Sequence, residues 1–154
     1  MTTKSIAILA AALFAAASLL TSAPAAAAAR EIKITGNDQM QYSVKRIEAK
    51  PGESLKVVLT AVSSMPKAEM AHNFILLKKG ANPDAFVMAG AMARNTEYVP
   101  AAKKDQILAS TTLAGGGETV EVTFDAPAEP GEYVYLCSFP GHYAAGMKGL
   151  LVVK

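Results

Sequence analysis

Beyond residue 30, apolar and polar residues alternate along short segments that turn residues separate. In the clearest segment, Val120, Val122 and Phe124 alternate with polar neighbours. A period of two with β-branched or aromatic side chains predicts strands that bury one face. Such segments lie at residues 32–34, 40–44, 55–61, 74–77, 119–124, 133–137 and 150–153. Short strands separated by turns predict an all-β protein, built as an antiparallel sandwich or barrel.

Two places depart from this alternation. Ile47 lies on the opposite parity from the segment before it, which predicts a β-bulge near residues 45–46. The sequence Asn82-Pro83-Asp84 offers a helix cap, a proline at the first helical position and an acid in the first turn. A short helix is therefore predicted over residues 85–93, although Gly90 weakens it.

The first 29 residues have a composition of their own. Ala occurs 13 times there, Lys4 is the only charge, and small residues end the segment at Ala29. A basic tip, a short apolar run and small residues at a cleavage site predict a secretory signal peptide over residues 1–29, and hence a periplasmic protein. A retained membrane anchor is the less favoured alternative, because the apolar run is short for a span. The mature chain, residues 30–154, has a length that suits a single domain.

Charge excludes some partners. Lys and Arg number 15 and Asp and Glu number 13, so the net charge is +2, and it falls to +1 when Lys4 is removed. No basic run occurs along the chain. The composition therefore argues against a nucleic-acid partner and against a strongly charged membrane-binding surface.

The single cysteine is a functional clue. Cys137 has no second cysteine in the chain, so no intramolecular disulfide can form. Exported proteins that use disulfides carry an even number of cysteines as a rule. An unpaired thiol in an oxidising compartment suggests that something else occupies it.

The sequence supports one arrangement in which the unpaired thiol binds a metal ion. Cys137, His142 and Met147 are each five residues apart in a loop between the last two predicted strands. His72 immediately precedes the strand at residues 74–77, and from there it can reach the same end of a sandwich. Two imidazoles and a thiolate with a weak thioether form the ligand set of blue copper. Zinc also accepts two His and one Cys, but the thioether favours copper.

Catalysis is a weaker use of the same residues. Cys137 and His142 are a possible nucleophile and base, with His72 or Asn73 as the orienting group. However, the Phe139-Pro140 sequence beside the thiol offers no evident oxyanion hole. The two histidines are also too few for a multicopper enzyme. The sequence therefore indicates a protein that is not an enzyme and binds no small-molecule substrate.

Three separate segments resemble azurin, a blue copper family of the bacterial periplasm. They are Gly36-Asn37-Asp38-Gln39-Met40-Gln41, Met70-Ala71-His72-Asn73-Phe74 and Cys137-Ser138-Phe139-Pro140-Gly141-His142. Residues 122–125 and 147–149 extend the resemblance, which covers the chain from about Glu31 to Lys154. It implies a cupredoxin fold, a Greek-key β-sandwich of about eight strands with a helical flap near residues 83–93.

The resemblance also implies a site. One type 1 copper ion per chain would be held by His72, Cys137 and His142, with Met147 as a distant axial donor. The Ala71 carbonyl would be a second axial neighbour, and Asn73 and Ser138 would lie just outside the ligands. Four residues separate His142 from Met147, as in auracyanin and plastocyanin, whereas azurins usually have three. This spacing leaves the Ala71 contact open.

The function implied is that of a one-electron carrier. Copper would cycle between Cu(II) and Cu(I) and so connect redox partners such as periplasmic cytochromes or copper enzymes. These partners would dock transiently on an uncharged patch formed by Met40, Met70, Phe139, Pro140, Gly141 and Ala145. Periplasmic copper delivery is the alternative, although no Met- or His-rich tract supports it. A metal-free adhesion-type sandwich would leave the Cys-His-Met loop unexplained.

Overall fold

Ten strands, one α-helix and two 3₁₀-helices form the part of the chain that the computed structural model describes, residues 28–154. The strands are β1 (Arg30–Asn37), β2 (Arg46–Ala49), β3 (Ser54–Val62), β4 (Ala71–His72), β5 (Ile75–Leu77), β6 (Ile107–Ser110), β7 (Ala114–Gly115), β8 (Thr119–Asp125), β9 (Gly131–Leu136) and β10 (Lys148–Val153). The α-helix is α1 (Pro83–Gly90), and the 3₁₀-helices span Arg94–Thr96 and Ala101–Gln106.

The predicted signal peptide lies almost wholly outside this part, because residues 1–27 are not described. None of the helices in residues 28–154 is long and apolar enough to cross a membrane.

The strands form two larger sheets and one small one. The first sheet has the order β1-β3-β8, the second has the order β2-β10-β9-β5-β6, and β4 pairs with β7 alone. Most pairs are antiparallel, but β1 runs parallel to β3 and β10 runs parallel to β2. The prediction of an all-β sandwich with a short helix is confirmed, with two parallel pairs that the period of two could not reveal.

The core lies where the larger sheets face each other. Leu55, Val57 and Leu59 of β3 are completely buried, as their alternation predicts. The ring of Tyr135 on β9 stacks on that of Phe74, with ring centroids 5.0 Å apart. The same apolar cluster includes Cys137 and Met147, so the candidate metal ligands are part of the core and not of the surface.

The predicted strand at residues 40–44 is wrong. These residues form a loop that touches β1 through a single bridge between Gly36 and Tyr42. The reason is local: Asn37 Oδ1 accepts the N–H groups of Gln39 and Gln41 at 3.1 and 3.2 Å. A side chain that satisfies nearby backbone groups in this way competes with strand pairing. The predicted bulge at residues 45–46 is therefore the end of this loop, and β2 begins at Arg46.

The predicted helix forms with its expected cap but ends earlier. Asn82 Oδ1 accepts a hydrogen bond from Ala85 N at 3.0 Å, and Pro83 is the first helical residue. The helix ends at Gly90 instead of residue 93. A side chain at Gly90 would collide with the Tyr98 carbonyl, so this glycine allows the following segment to pack closely against the helix.

Candidate metal centre

His72 is placed by the smallest sheet. Strand β4 pairs with β7 so that His72 lies opposite Ala114 and Ala71 lies opposite Gly115. Both β4 residues are fully buried. Strands of two residues are too short to show a period, so the sequence located His72 only by its position before the next strand.

Cys137 directly follows β9, and the loop after it turns back on itself. His142 N donates to Phe139 O at 3.1 Å, and Met147 N donates to His142 O at 2.9 Å. Cys137 N donates to Met147 O at 3.1 Å, which closes the loop at its base. These hydrogen bonds bring Cys137, His142 and Met147 close together in the buried part of the loop.

The donor atoms of His72, Cys137 and His142 lie within 4.8 Å of one another, and all three residues are buried. The two Nδ1 atoms are 3.2 Å apart, and Cys137 Sγ is 3.5 Å from His142 Nδ1. The structure therefore brings together the two imidazoles and the thiol that the sequence singled out.

Met147 and Ala71 lie beside this cluster. Met147 is fully buried, and its methyl carbon is a neighbour of the His72 ring across Gly36. A Cβ atom at Gly36 would lie 2.8 Å from both groups. The Ala71 carbonyl oxygen is 3.9 Å from Cys137 Sγ. Gly36 was not among the residues predicted for the site, because nothing in its sequence context shows what its missing side chain makes room for.

Asn73 and Ser138 join the two ligand-bearing segments. Ser138 N donates to Asn73 Oδ1 at 2.9 Å, and Asn73 Nδ2 donates to Ser138 Oγ at 2.9 Å. The Tyr42 hydroxyl donates to the Asn73 carbonyl oxygen. Tyr42 was expected only as a strand residue, and its burial and this hydrogen bond are not evident from the sequence.

Burial changes the protonation of the donor groups. It lowers the pKa of His72, an effect that the charge of Asp38 partly opposes. Burial, together with the nearby His72, lowers the pKa of His142 to about 4. Burial also raises the pKa of the Cys137 thiol to about 12. Without a metal, both imidazoles and the thiol are therefore uncharged at neutral pH.

Comparison with known proteins agrees with this geometry. The sequence model of a family described as copper binding proteins, plastocyanin/azurin family, matches residues 28–154. The chain belongs to this copper-binding family. An azurin from Achromobacter denitrificans is 40% identical over 133 residues, which cover 84% of this chain and 88% of that protein.

Two solved structures confirm the cupredoxin fold. The "blue" copper protein auracyanin A from Chloroflexus aurantiacus has a TM-score of 0.70 and 35% identity, and the match covers 80% of this chain and 98% of auracyanin A. An azurin from Methylomonas sp. strain J has a TM-score of 0.71 and 32% identity, covering 82% of this chain and 99% of that one. Both azurin and auracyanin are thus similar to this chain, whose motifs resemble azurin and whose ligand-loop spacing resembles auracyanin.

The donor set fits the copper ion that the family binds. Three donors about 2.0–2.3 Å from a central ion, at the corners of a triangle, lie about 3.5–4 Å apart. Two of the observed separations, 3.2 and 3.5 Å, are close to this range, and all three donors lie within 4.8 Å of one another. Soft thiolate and thioether donors beside imidazoles suit copper better than zinc. The cluster and Met147 are accordingly positioned for one type 1 copper ion.

The residues expected to form the docking patch differ in their exposure. Pro140, Gly141 and Ala145 are exposed, and Met40 is partly buried. Met70 and Phe139 are buried, and the Phe139 ring lies 4.8 Å from the His142 ring, measured between centroids. His142 itself is only 2% exposed. Of the residues predicted for the patch, the exposed ones are thus small, whereas the larger apolar side chains are buried or partly buried.

A nucleophilic role for Cys137 finds no support in this geometry. Catalytic cysteines react as accessible thiolates. Their surroundings are electropositive and partly exposed, which lowers the pKa of the thiol. The Cys137 side chain is completely buried, and its pKa is raised instead. The electron-carrier family and the buried thiol both argue against a hydrolase.

Proposed function

We propose that this protein is a periplasmic one-electron carrier whose copper is held by His72, Cys137 and His142, with Met147 as the axial donor. The observation that carries the proposal is the convergence of three buried donor atoms within 4.8 Å. Membership of the plastocyanin/azurin family supports it, since blue copper proteins of this family carry electrons.

In this proposal the ligand side chains need to move little when bound copper gains or loses an electron. Bound copper supplies the Cu(II)/Cu(I) couple, because thiolate and thioether favour Cu(I) while imidazole accepts both ions. The two hydrogen bonds between Asn73 and Ser138 hold the ligand segments together. Such contacts around metal ligands orient them and tune the metal. The Ala71 carbonyl, 3.9 Å from the sulfur, is proposed as a second axial neighbour.

Electrons are proposed to pass through His142, which lies just beneath the surface. We propose that Pro140, Gly141 and Ala145, which are exposed, uncharged and close to His142 in sequence, form a cover over its imidazole. A small apolar surface suits partners that dock briefly, because transient electron-transfer contacts are small and easily released. Cytochromes or copper enzymes of the periplasm are the proposed partners, and no nucleic acid or small-molecule substrate has a role.

The location follows from the sequence of residues 1–29, which has the composition of a signal peptide. Cleavage would release a mature chain that begins near Arg30. The carrier function and the buried thiol lead to the proposal that the protein is not an enzyme.

The test is a visible absorption spectrum of the mature protein during addition of Cu(II), with Cys137→Ser as the control. We expect an intense blue thiolate-to-copper band at one equivalent that reductant bleaches and oxidant restores. The band should be absent in the control variant. A colourless protein that still binds Cu(I) would favour copper delivery over electron transfer, and absence of copper binding would exclude both.

A further inference from the structure

One side chain from outside the ligand loop holds the segment between His142 and Met147. Gln41 Nε2 donates a hydrogen bond of 3.0 Å to the Ala145 carbonyl oxygen. Within residues 28–154, no other side chain hydrogen-bonds to residues 143–146, and no loop backbone N–H donates to this carbonyl. Gln41 therefore anchors the part of the loop that the four-residue spacing makes longer.

The Gln41 side chain is itself fixed in place. Its Oε1 atom accepts a hydrogen bond from Lys45 Nζ at 2.6 Å. Its backbone N–H donates to Asn37 Oδ1 at 3.2 Å, and its carbonyl oxygen accepts from Asn37 N at 3.3 Å. This network also sets the amide orientation, since the reverse orientation would place two oxygens face to face at Ala145 and an NH₂ group against an ammonium.

The anchored carbonyl lies two residues before Met147. Gly146, between them, has a φ of +98°, which favours glycine. A Cβ atom at Gly146 would lie 3.5 Å from Gln41 Nε2, so the amide packs against the backbone there. On the other side of Gln41, the loop follows β1, where a Cβ atom added at Gly36 would lie 2.8 Å from the Met147 methyl group and the His72 ring. Gln41 thus contacts the segment that directly precedes Met147, and its own loop follows the strand that adjoins Met147 from the other side.

We infer that Gln41 is a positioning residue: its hydrogen bond to Ala145 holds the lengthened loop and so fixes where the Met147 thioether lies relative to His72, Cys137 and His142. This inference rests on the proposed function where it concerns the axial donor of copper. The anchoring of the loop is a property of the chain alone and is testable without copper.

The experiment compares two variants of Gln41 with a matched control. Gln41→Glu keeps an acceptor for Lys45 but replaces the donor with a carboxylate that faces the Ala145 carbonyl. Gln41→Met removes both hydrogen bonds and adds no charge. Gln39→Glu introduces the same charge two residues away, on an exposed residue whose side chain makes no hydrogen bond within residues 28–154.

Two readouts separate anchoring from copper tuning. In the copper-free protein, amide hydrogen exchange at Gly146 and Met147 should be about 3–10-fold faster in both Gln41 variants, as expected from loss of one hydrogen bond. In the copper-loaded protein, the shape of the thiolate-to-copper absorption and the reduction potential should shift in both variants. The Gln39→Glu protein should match the wild type in both readouts, and thermal unfolding shows that each variant is folded.

The outcomes are distinguishable. Unchanged exchange, absorption and potential in both Gln41 variants would overturn the inference and leave the electron-carrier proposal intact. Faster exchange with an unchanged absorption band and potential would overturn the link to Met147. A wild-type protein without the blue band would refute the proposed function, whereas the exchange result would still decide whether Gln41 anchors the loop.

Discussion

Asn73 and Ser138 form a reciprocal pair of hydrogen bonds between residues that adjoin two different ligands. Each bond is 2.9 Å long, and both side chains are buried. Asn73 follows His72, and Ser138 follows Cys137, so the pair fixes the distance between two segments that are 65 residues apart in sequence. The separation of the His72 and Cys137 segments is therefore supported by two hydrogen bonds outside the donor cluster.

Removing one partner of this pair should destabilise the protein. Ser138→Ala leaves Asn73 Nδ2 buried without an acceptor, which costs about 1–3 kcal/mol. The backbone bond from Ser138 N to Asn73 Oδ1 remains in this variant. Denaturant unfolding of the copper-free protein measures the change, with the exposed Ser110→Ala as the control. Equal stability of the two variants would contradict a supporting role for the pair.

Gly36→Ala should disturb the site from its other side. The added methyl carbon would lie 2.8 Å from the His72 ring and the Met147 methyl group. Overpacking of this kind costs about 1–3 kcal/mol, and here it must move a ligand as well. We expect lower stability and an altered thiolate-to-copper band, measured by denaturant unfolding and visible spectroscopy. A stable variant with an unaltered band would show that Met147 and His72 do not need this space.

The strands that bury one face could be predicted because a period of two survives in their sequence. Leu55, Val57 and Leu59 alternate over a long strand, and all three are buried. The cap at Asn82 could be predicted from local chemistry alone. By contrast, β4 and β7 have two residues each, too few for any period, and the polar contacts of Asn37 replace a predicted strand by a loop.

The ligands could be predicted because rare residue types carry them. Cys137 is the only cysteine and His72 and His142 are the only histidines, so their roles leave few alternatives. Gly36 acts by leaving free the space beside His72 and Met147, and Gln41 acts through one long-range hydrogen bond. Neither property is visible in sequence, since it depends on how the loops after β1 and β9 meet.

Acid should destabilise the copper-free protein through its histidines. Both imidazoles have lowered pKa values in the folded state, that of His142 near 4. Between pH 6.5 and 4 the unfolded chain binds protons that the folded chain does not, so stability is lost as the pH falls. The pKa difference at His142 corresponds to on the order of 3 kcal/mol when fully developed.

Denaturant unfolding across this pH range measures the effect. The His142→Asn variant should lose part of the slope between about pH 6.5 and 5.5, which lies above the range where carboxylates titrate. An identical slope in the variant would show that His142 binds a proton equally well in the folded and unfolded states.

Copper loading should release about one proton per chain at neutral pH. The Cys137 thiol is protonated there because its pKa is about 12, whereas a metal binds the thiolate. The imidazoles add no protons, since they are already neutral. Titration of the weakly buffered protein with Cu(II) at constant pH measures the released acid, and Cys137→Ser should release none. Copper affinity should accordingly rise about tenfold for each unit of pH.

A charge on the cover of His142 should slow electron exchange without changing the site. When two copies of the protein exchange an electron, the same exposed surface of each faces the other, so Ala145→Asp places two carboxylates in the contact. Like charges at an interface oppose association, and salt screens them. The self-exchange rate between reduced and oxidised protein, measured by NMR line broadening, should fall about tenfold or more at low ionic strength and recover in salt.

Ala128→Asp is the matched control: it adds the same charge in the exposed turn between β8 and β9, at the end of β9 away from Cys137. Because the absorption band should remain unaltered in both variants, equal self-exchange rates would mean that electrons leave the protein by a route other than His142 and its cover.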